Sequence, residues 1–553
     1  MRLFVPALAS CLLFASCTGA PNSSTAPDSG SDTDTDTDGD TDTETDLTPE
    51  GEPMETCWGT SLTSQGQVDE LVGYHEESEV HVRYHDAVVD VETFPDGSSL
   101  AATASGTLYV HDPDGVLLDE IAIGSAGSWI QLYAAEALAD GGIVVLGRFA
   151  DELILGADTP QEVALSCGDA AGGLGVVLAR TSSAGVLEWA RGVCTDADDW
   201  NFHFVGSSLG VLSDGSIVVA GILPEGHVVF GAGEPSETDL GPFEYDPYDP
   251  GFPVFVARYL EDGTLDRVRV ESVGYTVGRE IAALPDGSFA MTGSFMFEAT
   301  FGEGQPNETT LTWSLPEDTI FFGPADALGR FVAVYAPDGA LAWADGVNGF
   351  SSFDNHISVS PLADGSLAAS GAYADTLEFS DGTVLHAFVE LNDGSAEGGY
   401  AIFVARWSPD GDLQWVRGSQ CAGSELCSVV SSNVVALPAS AAPSGAMAVA
   451  GGMVGAVDFG GSLEAQEIIS GHTVFFAMYG AEGTLQGVWW IGEGWEEVFE
   501  QPLSLSFAGG GAFSLGGHFN GNPLINGLGG ETYQLDDTAS APETNGFLIR
   551  ACP

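Results

Sequence analysis

Along most of the chain, short stretches of alternating apolar and polar residues are cut by Asp-Gly and Pro-Asp-Gly. That alternation predicts half-buried strands joined by tight turns. The stretches recur. One anchor is a turn, an apolar strand and a Gly: LADGGIVVLG (138–147), LSDGSIVVAG (212–221), LPDGSFAMTG (284–293) and LADGSLAASG (362–371). Weaker copies are FPDGSSLAAT (94–103), SGAMAVAGG (444–452) and GGAFSLGG (510–517). A second anchor follows at a variable distance, as in VVLARTSSAGVLEWAR (176–191), VFVARYLEDGTLDRVR (254–269) and FVARWSPDGDLQWVR (403–417). From Gly141 onward the anchor glycines stand 74, 72, 78, 80 and 66 residues apart.

A period of this length means a radial or stacked array. Each unit reads as four strands: the DGS strand (A), an apolar piece ending near Phe-Gly (B), the FVAR strand (C) and the LxW strand (D). Four-stranded units arranged radially make a β-propeller, which leaves only short sheet edges. Seven A anchors predict an all-β, seven-bladed propeller. The last copy stops after strand C, at GFLIRACP (546–553), while Glu79–Tyr84 (EVHVRY) has no A–B–C before it. An N-terminal strand at 79–84 is therefore expected to supply the last D strand and close the ring. The two anchors of blade one stand unusually close together.

These residues resemble the SBBP-type bacterial β-propeller repeat, over roughly 79–553. The resemblance implies fold and a secreted or surface setting, and little about activity. PQQ-type repeats share the Gly-x-x-x-Trp strand, here at Trp189, Trp343 and Trp415, but Arg267 and Gly487 replace that Trp elsewhere. The sialidase Asp box fails at Ser408–Trp415, where Gly falls one place early.

Charge narrows the chemistry. Lys+Arg is 13 against Asp+Glu 81, a formal net charge of −68, and every basic residue is Arg. Without Lys there is no P-loop and no Schiff-base chemistry. So acidic a chain is not expected to bind nucleic acid. A hydrophobic fraction of 44% supplies a core, and 74 Gly supply the turns.

The first residues read as an address. Arg2, an apolar stretch and small residues make residues 1–16 an export signal, too short to span a membrane. Leu13–Cys17 resembles a bacterial lipobox, departing at Phe14. The resemblance implies lipidation at Cys17 and, with Thr18 after it, a lipid-anchored protein of the outer membrane or cell surface. Residues 17–55, with the run Asp32–Asp46, should be a disordered acidic tether, because like charges repel and nothing apolar can be buried. The EF-hand spelling at Asp34–Gly39 lacks its closing Glu. The propeller is expected over 56–553.

The Asp residues of the repeated turns (Asp96, Asp140, Asp214, Asp286, Asp364) suit turn geometry. Arg180, Arg258, Arg406 and Arg550 recur at the end of strand C and are expected to pair with carboxylates between blades. Gly206–Gly210 spells a nucleophile elbow without the strand–turn–helix setting it needs. The candidate site is the face where B–C and D–A loops emerge. There Asp198, Asp199, Trp200, Asn201 and His203 stand with Tyr245, Asp246, Tyr248, Asp249, Asp354, Asn355 and His356. Carboxylates, amides and aromatics suit a protein or carbohydrate ligand, with calcium as the one candidate ion. The reading is a non-enzymatic, lipid-anchored propeller presenting a binding face. The alternatives are an extracytoplasmic hydrolase or lyase acting on carbohydrate through acids and His on that face, and a purely structural surface protein.

Cys11 and Cys17 belong to the signal, leaving six cysteines in an exported chain. Loop positions pair Cys167 with Cys194, Cys421 with Cys427, and Cys57 with Cys552 across the closure.

Overall fold

The computed structural model describes residues 55–62, 87–125, 128–167, 174–195, 205–224, 226–243, 253–313, 329–350, 357–390, 396–398, 400–421, 428–436, 445–460, 466–495, 500–507, 513–519, 524–526, 532–534 and 545–552. The chain divides into Met1–Glu52 and Pro53–Pro553, and the second unit carries every described residue. That unit is all-β and propeller-like.

Its strands form antiparallel four-strand meanders. The first runs Val88–Thr93, Ser99–Thr103, Thr107–His111, Leu117–Ala122. The second runs Trp129–Ala137, Ile143–Ala150, Leu174–Thr181, Leu187–Thr195. The third takes Val205–Val211, Ile217–Ile222, Val254–Tyr259 and the first part of Leu265–Ala283. The far part of Leu265–Ala283 opens the fourth, with Phe289–Phe301, Gly329–Tyr335 and Leu341–Phe350. Next come Ile357–Pro361, Leu367–Phe379, Tyr400–Trp407 and Leu413–Gly418. Then follow Ser428–Ala436, Met447–Asp458, Gln466–Tyr479 and Leu485–Trp495. The final sheet holds Glu500–Phe507, Phe513–Phe519, Asn545–Cys552 and, from the other end of the chain, Glu55–Leu62. The first strand of each run packs against the first strand of the next, and Glu500–Phe507 packs back against Val88–Thr93.

Two sequence expectations need correction. The closing strand is Glu55–Leu62, not 79–84, which lies outside the described residues. Register explains the choice: Trp58 stands opposite Arg550 as Trp189 stands opposite Arg180, so Glu55–Leu62 carries the fourth-strand pattern that Glu79–Tyr84 lacks. It also starts at the last residue expected for the tether. Second, the DGS strand is the second of each run, not the first. The first strand lies in what the sequence suggested was the D–A loop. A β-bulge, between Leu132 and Ala134 or Gly278 and Glu280, breaks its alternation and hides it from a period-two reading. The Phe-Gly piece is no separate blade strand. It carries the DGS strand outward into an accessory hairpin, such as Gly226–Phe230 with Thr238–Phe243, or the end of Phe289–Phe301 with Thr309–Thr312.

These hairpins tie neighbouring runs together. Val228 and Val229 pair with Thr195 and Cys194 of the preceding run, Phe301 pairs with Ser272, and Val457 pairs with Cys421. Such bridges fuse several runs into one 14-stranded sheet.

The core lies between successive sheets. Leu146, Val176, Leu209, Val219 and Phe255 fill one gap, and Phe295, Phe301, Phe331 and Tyr335 belong to another. At the seam, Val88, Val91, Ala101 and Tyr109 meet Leu548.

The recurring Asp sit in their turns as expected, but the recurring Arg take the Asp of their own run rather than carboxylates between runs; of these ion pairs only Arg180–Glu261 reaches the next run. Asp140, Asp214 and Asp364 each accept a backbone N–H two residues on, within the turn. They also take Arg180, Arg258 and Arg406 from the third strand at 2.7, 2.5 and 2.5 Å. Each Arg then reaches a turn carbonyl of the next run: Arg180 to Glu261, Arg258 to Pro337, Arg406 to Ala481. Arg550 donates to the Gly97 carbonyl at 2.7 Å, across the seam.

Candidate functional site

All twelve sequence-predicted binding residues lie outside the described residues. Asp198, Asp199, Trp200, Asn201 and His203 fall between Leu187–Thr195 and Val205–Val211. Tyr245, Asp246, Tyr248 and Asp249 fall between Thr238–Phe243 and Val254–Tyr259. Asp354, Asn355 and His356 fall between Leu341–Phe350 and Ile357–Pro361. The strand ends flanking them do share one face. Fourth strands leave on the side where first strands begin, and the accessory hairpins project on that side too, as the Cys194–Val229 bridge requires.

On this face Cys167 and Cys194 form a disulfide with Cα atoms 5.2 Å apart. Cys167 ends an accessory hairpin and Cys194 a fourth strand, so the bond fastens one to the other. Cys57 and Cys552 stand on paired strands, where Glu55 faces Cys552 and Cys57 occupies a bulge between Thr56 and Trp58. Cys421 ends Gln420–Cys421, and Cys427 lies outside the described residues.

Ten of the 13 Arg have described side chains, and each of these contacts a carbonyl, side-chain oxygen or aromatic ring of the protein. His227 pairs with Asp239 at 3.0 Å on an accessory hairpin. Among the described residues no three His, Cys, Asp or Glu converge as metal ligands.

A second constellation, which the sequence reading missed, sits on the first strands. Each of these strands pairs on one edge only, and a polar residue recurs just after its bulge: Asp90, Ser208, Glu280 and Ser504, with Ser358 at the same register. Four of these side chains accept a backbone N–H from the next run. Asp90 Oδ2 takes Ala135 N at 2.9 Å, Ser208 Oγ takes Ile281 N at 2.9 Å, and Glu280 Oε1 takes Val359 N at 3.2 Å. Ser504 Oγ takes Val91 N at 2.9 Å, across the seam, and donates to Asp90 Oδ1 at 2.8 Å. This inner belt repeats, between runs, what a ladder does within one.

Two residues beyond Asp90 is Glu92, and at its repeat position in the second run is Glu136. All three carboxyls keep some surface open toward the inner side, yet protein surrounds them. Burial, partly offset by the Ala135, Ser504 and Val91 hydrogen bonds, raises Asp90 to about 6. Burial and the nearby Asp90 charge raise Glu136 to about 8, and burial with Glu136 and Asp90 pushes Glu92 well up. At neutral pH Glu136 holds a proton. The signal for these residues was an acid inside an otherwise apolar stretch, VVDVET (88–93) and AAEA (134–137), just before the DGS turn.

No family model and no curated protein matches the chain. Solved structures of similar outline include the C-terminal WD40 domain of Sif2, at 10% identity, TM-score 0.36, covering 85% of this chain and 96% of that one. Raptor of Chaetomium thermophilum matches at 9% identity and TM-score 0.36, over 91% of this chain and 29% of that one. The computationally designed Ika8 protein matches at 10% and 0.29, over 82% and 96%. Likeness at this level carries no argument about activity or partners; the propeller-like fold rests on the strand pairing.

Proposed function

We propose that the chain is a seven-bladed propeller, anchored by lipid at Cys17 and held outside the cell membrane by its acidic tether, that works as a binding scaffold. The observation that carries this reading is the double fastening of the ring. The inner belt and the outer hairpin bridges both join run to run, and both the Ser504–Val91 bond and the Arg550–Gly97 bond cross the seam. The described strand ends that flank 196–204, 244–252 and 351–356 share one face of this frame, which suits recognition by loops on a rigid scaffold. Seven DGS-type turns and the packing of Glu500–Phe507 back on Val88–Thr93 support the blade number. The acidic field favours a basic or neutral partner, protein or carbohydrate, with calcium as a bridging ion.

The hydrolase or lyase alternative gains one observation: Asp90, Glu92 and Glu136 converge with raised carboxyl pKa values, as acid–base catalysis requires. They sit on the first strands rather than the long-loop face, and Asp90 is committed to the inner belt. Binding is therefore the stronger reading. The test is retention of envelope proteins and a glycan panel on the immobilised chain, with and without calcium. A ligand lost on Trp200→Ala or Tyr245→Ala supports the face. Binding that survives both and disappears with Glu136→Gln moves the site to the inner acids.

A further inference from the structure

One position of the repeat is filled against its own backbone conformation. The second strand of a run ends in a kink, from which the chain passes into the accessory hairpin. Counted from the first residue of that strand (Ile143, Phe289, Leu367, Met447 or Phe513), the kink is the eighth residue on. At that count the sequence has Asp151, Asp375, Gly455 and Gly521, and the third run has Gly226 one place later. The fourth run has Phe297.

The backbone explains Asp and Gly. Asp151 has φ +56° and Gly226 φ +90°. Positive φ is free to Gly and open to Asp, whose short side chain bonds locally. Phe297 has φ +62°. A bulky aromatic has no such relief and is strained there. The second and fourth runs build the kink alike. Phe149 and Phe295 precede it by two residues and are fully buried. The carbonyls of Asp151 and Phe297 accept the N–H of Cys167 and Trp313, at 3.4 and 2.7 Å.

Packing does not offset the strain. Phe295 and Phe301 are 0% exposed, whereas Phe297 between them is 59% exposed. An aromatic held in a strained conformation and open to solvent gains the fold little, so its use lies outside the chain.

Charge selects the occupant. Glu298, the next residue, is exposed, with Thr312 opposite it on the hairpin. Arg330, paired across the run with Ser294, is fully buried and donates to the Ala372 carbonyl at 2.6 Å, so its charge is directed inward. A second copy of the chain carries the same net charge of −68 and is repelled, as is any acidic partner. A neutral sugar is neither drawn nor repelled. A Lys or Arg side chain is drawn by the field, stacks on an aromatic face and pairs with the adjoining carboxylate.

We propose that Phe297 is a docking point for a cationic segment of a partner protein, its ring taking an Arg or Lys head group while Glu298 pairs beside it. The inference rests on the binding reading above and deepens it, naming the class of partner and a residue that the sequence reading did not include.

The probe is a fluorescent Arg-Gly repeat peptide, with the same peptide carrying citrulline for Arg as its uncharged control, titrated against the full-length chain at about 0.15 M salt. Phe297→Asn suits positive φ and adds no charge. It should weaken the Arg peptide about two- to fivefold and, by removing the strain, raise Tm by about 1–2 °C. Phe297→Tyr, which keeps the ring, should keep the affinity. Equal affinity in Phe297→Asn leaves only general attraction to an acidic surface and overturns the proposal. So does loss of affinity in Phe297→Tyr, or an unaltered chain that does not prefer Arg to citrulline. A fall in Tm on Phe297→Asn assigns the ring to packing and overturns it as well. Trp200→Ala and Tyr245→Ala separate this inference from the long-loop reading. Affinity lost in those two and kept in Phe297→Asn sinks this inference alone. Affinity kept in those two and lost in Phe297→Asn sinks the long-loop reading and supports Phe297 as the site.

Discussion

The indole N–H of Trp415 donates to the Ala481 carbonyl at 2.7 Å, and its ring lies against Gly483 two residues further on. Trp189 stands in the same way to Glu261 and Gly263, and Trp343 to Pro409 and Gly411. The Trp of one run is thus a cover for the fourth-strand turn of the next. That is the reason for the Trp, and for the Gly of each Asp-Gly or Glu-Gly turn.

Replacing Gly483 by Ala should therefore destabilise the fold twice over. The residue has φ +70°, and its Cβ would stand 2.7 Å from the Trp415 ring. The conformational strain alone is about 1–3 kcal/mol. A lowered Tm, with quenching or shift of the Trp fluorescence, checks it. Gly304→Ala, at φ +74° with open space around it, carries only the strain and should fall less.

Glu136→Gln should change how stability depends on pH. In the fold Glu136 keeps its proton to about 8, whereas the unfolded chain loses it near the ordinary carboxyl value of about 4.3. Stability from this group is full below that lower value and is lost as pH rises through about 8. The variant should match the unaltered protein near pH 4 and exceed it at pH 8.5, by on the order of a few kcal/mol at most. Equal pH slopes in denaturant titrations of the two proteins would contradict the burial assigned to Glu136.

Salt should stabilise this protein. The net charge is −68, and the described Arg are spent on internal contacts, so the surface repels itself with little local relief. Raising ionic strength from 0.01 to 1 M shortens the screening length from roughly 30 to 3 Å. Tm should climb across that range, and a flat Tm would mean that self-repulsion is minor.

Reduction of Cys167–Cys194 frees a loop with a sequence separation of 27. The chain-entropy model gives a loss of roughly 3–4 kcal/mol, often less in practice. Cys167→Ala with Cys194→Ala should lower Tm without altering the strand content seen by circular dichroism. Non-reducing peptide mapping of the same protein checks the two other expected pairs, Cys57–Cys552 and Cys421–Cys427.

The proposed lipid anchor predicts that Cys17→Ala releases the chain from membranes, since an acyl chain contributes about 0.8 kcal/mol per buried CH₂. Fractionation of cell envelopes reads the outcome directly, and retention of the variant contradicts lipid anchoring.

The sequence by itself determined the strand chemistry and the repeat. Turn residues fix where the chain reverses, and alternation fixes which side faces a neighbour, so DGS turns and FVAR strands could be read locally, while the Asp partner of each strand-end Arg could not. It also placed Cys167 beside Cys194. Only the tertiary structure decided which segment closes the final sheet: Trp58 gives Glu55–Leu62 a fourth-strand residue that Glu79–Tyr84 lacks, but its significance shows only once Trp58 stands opposite Arg550. It also decided the first strands and their acids. A bulge in most of these strands shifts the side-chain alternation, and the role of Asp90 exists only because Ala135 and Ser504, 45 and 414 residues away, are brought to it. Local periodicity records what each residue does to its neighbours in the chain; contacts across that distance are set by how the sheets pack.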